Sequence, residues 1–121
     1  MKAKILLFPL TLLLSCSTAF AATLCDKLSG SWQGEGRYIS PGLTYVFDAV
    51  ATASRENDHF RMEYTVHGEV ENGRSYSYIL ECENGFLSIN EGPVQGEGAF
   101  TGTKLVLKIF NGTGYTFLRL K

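Results

Sequence analysis

The sequence predicts an all-β protein, an eight-stranded up-and-down antiparallel β-barrel, and three observations carry that prediction. Turn signals recur about every ten residues beyond residue 40, the spacing of a β-meander. The segments between them alternate apolar and polar side chains, which gives each strand one face for a core and one for water. After the N-terminal leader there is no helical periodicity, no linker and no low-complexity stretch.

The leader is "MKAKILLFPLTLLLSCSTAFAA", in which Lys2 and Lys4 precede an apolar run from Ile5 to Leu14 and then small residues. This is the pattern of a secretory signal peptide, too short and wrongly flanked for a stable membrane span. Ala19-Phe20-Ala21 fits a leader-peptidase site, so residues 1–21 are read as the signal peptide and 22–121 as a single β-barrel domain. A second reading takes Leu13-Leu14-Ser15-Cys16 as a lipobox and anchors the chain as a lipoprotein at Cys16, although Leu14 is bulky for that position. Without Lys2 and Lys4 the chain carries nine basic and twelve acidic residues, a net charge of −3. That balance excludes a nucleic-acid partner. Cys25 and Cys82 survive cleavage, and in an oxidising periplasmic or extracellular compartment such a pair is expected to form a disulfide.

Seven turns, "SPG" at 40–42, "REND" at 55–58, "ENG" at 71–73, "ENG" at 83–85, "NEGP" at 90–93, "TGT" at 101–103 and "NGTG" at 111–114, separate eight strands. These are placed near 31–39, 43–54, 59–70, 74–82, 86–90, 94–100, 104–110 and 115–120. In the first strand Trp32 shares a face with Gly34 and Gly36, where side chains should pack. Sharp coiling of a closing barrel explains the glycines, because crowding on the inner face is relieved where no side chain stands. Gly96 and Gly98 repeat the pattern in the sixth strand. A phosphate-cradling role for "GEG" fails because no helix follows it. The second strand directs Leu43, Tyr45, Phe47, Ala49, Ala51 and Ala53 inward; the third, Phe60, Met62, Tyr64 and Val66; the fourth, Tyr76, Tyr78, Leu80 and Cys82; the seventh, Leu105, Leu107 and Ile109. Charged residues occupy the outer face of the third strand, which excludes a lipid-facing outer-membrane barrel.

"LSGSW" at 28–32 resembles the G-x-W signature that opens the first strand in the calycin superfamily of lipocalins, fatty-acid-binding proteins and avidin-like barrels, and "CDKLSGSW" is similar to the start of avidins. The resemblance implies a lipocalin-like barrel in which a basic residue of the last strand packs over the tryptophan, with Arg119 in "FLRLK" as that residue over Trp32. "FTGTK" lacks the aspartate of true lipocalins, the internal tryptophans of the avidin site are absent, and no room remains for the long lipocalin helix. The fold and the Trp32–Arg119 plug carry over, and no specific ligand does.

In an up-and-down order Cys25, Cys82, Trp32 and Arg119 all fall at one end, the closed one. The opposite end then holds the candidate ligand-binding residues Tyr38, Tyr45, Phe47, Tyr64, Tyr76 and Tyr78, with Met62 deeper and Val66 and Ile109 beside them. Tyrosines inside a barrel combine an apolar body with a hydroxyl that needs a partner. They suit either a small apolar or amphipathic ligand or a barrel filled by its own side chains. No catalytic constellation is present: His59 and His67 both have outward parity, the carboxylates lie in turns or on outer positions, and no nucleophile stands near a base. No metal and no cofactor is implied. "NGT" at 111–113 matches a glycosylation sequon but is explained by a hairpin turn. Two functions remain: an exported carrier that binds its ligand inside the barrel, and a periplasmic protein-binding module, such as a hydrolase inhibitor or assembly partner, that uses the barrel as a scaffold.

Overall fold

The computed structural model describes residues 24–121; the leader 1–21 and Cys16 lie outside the described residues. Eight strands follow one another as β1 (Gly30–Ser40), β2 (Leu43–Glu56), β3 (His59–His67), β4 (Asn72–Glu83), β5 (Phe86–Glu91), β6 (Val94–Phe100), β7 (Leu105–Asn111) and β8 (Gly114–Leu120). Each pairs antiparallel with the next, and β8 returns to β1 to close the barrel. The turn chemistry explains the connections. Asn84 and Gly85, for example, both adopt positive φ, as the tight hairpin between β4 and β5 requires.

Closure depends on the bare inner positions. A Cβ at Gly34 would fall on the carbonyl oxygen of Arg119 in β8, and one at Gly98 on that of Val106 in β7. At Gly36 the vacant space is taken by the ring of Phe47, with Leu118 beside it. The two glycines after Trp32 therefore do different things: one admits a neighbouring backbone, the other a neighbouring ring. The alanines of β2 play a related part. Ala51 lies between Trp32 on β1 and Tyr64 on β3, and Ala53 lies beside Met62, so large side chains from both flanks fill the space that β2 leaves.

The base is packed and tied. A helical turn at residues 24–26, which periodicity does not reveal, begins the described chain and carries Cys25 into a disulfide with Cys82, 57 residues away, at a Cα separation of 5.9 Å. Leu28, fully buried, follows it under the barrel, and its carbonyl accepts the indole N–H of Trp32 at 2.9 Å. Phe100 meets the Trp32 ring edge-on with centroids 5.5 Å apart. Closing so long a loop restricts the unfolded chain by about 4 kcal/mol in the chain-entropy treatment.

Three expectations are corrected. Leu43, on the inner face of β2 by alternation, is exposed because it opens the strand at the rim of the mouth. Arg119 does not cover Trp32: it is exposed on the outer face, opposite Glu35 and Val106, because its neighbours Leu118 and Leu120 take the inner positions. The third strand ends at His67 rather than near residue 70. A register shift between Thr65 and His67 breaks the ladder, and Gly68 then turns the chain away close against Phe47 and the carbonyl of Val46.

Replacing Gly34 by Ala forces a methyl group onto the β8 backbone and should cost about 2–3 kcal/mol, whereas Gln33→Ala on the exposed face should stay within about 0.5 kcal/mol. Urea midpoints of the two variants measure the difference. Equal midpoints would show that β8 does not approach β1 as closely as described.

Candidate functional site

Strand polarity divides the interior. β1 rises from the base, so Trp32 lies low and Tyr38 high; β2 descends, so Tyr45 lies high and Ala53 low. Below, Phe60, Met62, Leu80, Leu87, Leu107 and Leu118 are buried almost completely. Above, the barrel holds a cavity of about 310 Å³ that opens between the turns at the mouth. Its walls include all five of Tyr38, Tyr45, Tyr64, Tyr76 and Tyr78, together with Phe47, Val66 and Ile109. Met62 does not reach it and belongs to the packed layer beneath.

The rings stand in two ladders. Tyr38, Tyr45 and Phe47 follow one another on β1 and β2 with centroids 5.3 and 6.1 Å apart. Tyr64 stacks on Tyr76 at 5.2 Å and is tilted against Tyr78 at 6.3 Å, joining β3 to β4. Cross-strand aromatic pairs of this kind hold a wall rigid as well as apolar.

Four polar residues complete the lining: Glu71, Arg74, Asn111 and Thr116. Glu71 reaches the mouth because β3 stops early and the chain from Gly68 to Glu71 crosses to β4. Its carboxylate accepts the hydroxyl of Tyr76 at 2.6 Å and that of Tyr45 at 3.4 Å, linking β4 and β2. The guanidinium of Arg74 lies 5.3 Å from the centroid of the Tyr76 ring. Deeper in, Tyr64 lies between the rings of Tyr76 and Tyr78, and Thr116 shares the lining with it.

Sequence parity finds the tyrosines, and the same parity applies to Arg74 and Thr116, which align with Tyr76 and Leu118 on their strands. Glu71 carries no such signal, because "ENG" reads as a turn and a turn carboxylate reads as solvated. Comparison with protein-family models, with curated proteins and with solved structures returned no match.

Burial is the first cause that raises the phenol pKa of Tyr45, Tyr64, Tyr76 and Tyr78 above the ordinary value near 10. For Tyr76 and Tyr45 the carboxylate of Glu71 adds to it, and for Tyr78 the charge of Glu91 does. The folded chain thus keeps phenolic protons that the unfolded chain releases above about pH 10, so stability is full below that pH and falls as pH rises beyond it. Denaturant midpoints measured between about pH 8 and 11.5 should decline, and less steeply in Tyr64→Phe. A midpoint that rises over this range would contradict the buried, neutral phenols.

Proposed function

We propose that this chain is an exported binding protein that holds a small apolar or amphipathic molecule in the mouth of a calycin-like barrel, without catalysis and without a resident cofactor. The observation that carries the reading is the division of the interior, with a filled base beneath a cavity of about 310 Å³ walled by five tyrosines. Ligand pockets are mostly apolar with a few fixed polar groups, and their volumes begin at about 300 Å³. The space suits a compact ligand of about ten to fifteen non-hydrogen atoms, given that one water occupies about 30 Å³ of liquid. The leader and the Cys25–Cys82 bridge are compatible with an oxidising compartment outside the cytoplasm.

A second reading, the protein-binding module, is favoured by the outer surface. On β3 and β4 that surface is polar, with Arg61 bonded to Glu56 and Ser77 and Thr65 bonded to Ser75. On β2, β1, β8 and β7 it exposes Val46, Val50, Val106 and Phe110 around Arg37 and Arg119, and two shallow grooves run along it. Apolar side chains clustered on one side of a barrel mark a contact surface more readily than the same residues scattered singly.

Native mass spectrometry of protein purified from its own host separates the two readings. The carrier predicts a copurified small molecule and, for Tyr76→Phe, a loss of affinity of about 0.5–1.5 kcal/mol with little change in fold. The module predicts a copurified protein that is lost in Val46→Glu and unaffected by Tyr76→Phe.

A further inference from the structure

Hydrogen-bond direction at the mouth narrows the ligand class, on the reading that the cavity is a ligand site. A carboxylate only accepts, and it offers about four lone-pair positions. At Glu71 two of these are taken by the hydroxyls of Tyr76 and Tyr45. Each of those phenols has thereby committed its single proton and turns only lone pairs to the cavity. Around Glu71 the mouth therefore offers acceptors, and a ligand group placed there must supply donors.

Charge points the same way. Among the described residues, the ion pairs join Arg55 to Asp26, Arg61 to Glu56, and His59 to Glu56 and Asp58; none involves Glu71. A second carboxylate, Glu91, stands at the mouth end of β5, accepts the backbone N–H of Ile79 at 3.1 Å and adds its charge to the surroundings of Tyr78. The one cation of the lining is Arg74, and it sits on the face of the Tyr76 ring, the position that a ligand cation would prefer on the other rings. An anionic headgroup would meet Glu71 and Glu91, and of the lining residues only Arg74 carries a charge to receive it.

We propose that the mouth is a cation site and that the ligand is a compact amphiphile with an N–H-bearing ammonium group, primary to tertiary, at one end. The ammonium sits between the Glu71 carboxylate and the faces of Tyr38 and Tyr45, and the apolar end lies along Phe47, Val66 and Ile109.

The test uses three probes of equal chain length, octylammonium, octanol and octanoate, titrated calorimetrically below micelle-forming concentrations into the oxidised mature protein. The cation should bind about tenfold more tightly than octanol, and octanoate more weakly than either. Glu71→Gln should abolish the advantage of the cation over octanol. Arg74→Ala should tighten the cation by about two- to fivefold through loss of a like charge. Equal affinities for the three probes would overturn the cation site and leave the cavity a ligand site. Absence of binding by all three, with circular dichroism showing a folded protein, would remove the cavity reading and this proposal with it. If Glu71→Gln weakened octanol and the cation alike and Arg74→Ala left the cation unchanged, Glu71 would be a structural brace only.

Discussion

Eight strands close into a barrel only if neighbouring backbones can cross at a sharp angle, and in this protein that condition is met at Gly34 and Gly98. At both, the vacant Cβ position coincides with a carbonyl oxygen of the adjacent strand. The closing ladder from Gly34 opposite Leu120 to Ile39 opposite Tyr115 follows from the first of them. Without it, β1 and β8 would be exposed edges with unpaired N–H and C=O groups, a template for pairing with other chains. Closure also brings Trp32 over Leu28 and beside Phe100, so the plug at the base depends on the same bend.

From closure follows the split between a filled base and an open mouth. The base receives aliphatic side chains from most strands, Trp32 and Leu28 from the N-terminal segment, and a disulfide that holds that segment in place. Toward the mouth the inward residues of β1 to β4 become tyrosines, which are too polar at their tips to fill a core without partners. The hydroxyls of Tyr76 and Tyr45 find theirs in the carboxylate of Glu71. The result is a wall whose rings are fixed and whose polar atoms are oriented before any ligand arrives, which lowers the entropic cost of binding.

Much of this is legible in the sequence because turn chemistry and alternation act locally. The seven turn signals locate the strands within a few residues, and parity alone brings the five tyrosines together. Arg119 shows the opposite case: its flanking leucines place it outside by alternation, whereas its resemblance to a family pattern draws it inward. Local alternation is the stronger constraint, since reversing one residue would expose both leucines. Glu71 is illegible for another reason. Its place in the lining depends on where β3 leaves the ladder, and that depends on Gly68 fitting against Phe47 and the carbonyl of Val46, contacts made with the neighbouring strand β2 rather than along the chain.

The seam between β4 and β5 connects this geometry to ligand access. These strands pair only through Glu81 with Ser88, Cys82 with Leu87 and Glu83 with Phe86, all near the base. Higher up, the side chain of Glu91 takes the N–H of Ile79 in place of a backbone carbonyl. A side-chain acceptor is more easily displaced than a ladder of backbone bonds, so the upper part of this seam is the least constrained portion of the wall. It flanks Tyr76 and Tyr78, so a ligand entering there meets the aromatic ladder of β3 and β4. The molecule thereby combines a lower half set by Gly34, Trp32 and the disulfide with an upper wall braced at the candidate site by side chains, Glu91 on Ile79 and Glu71 on Tyr45 and Tyr76.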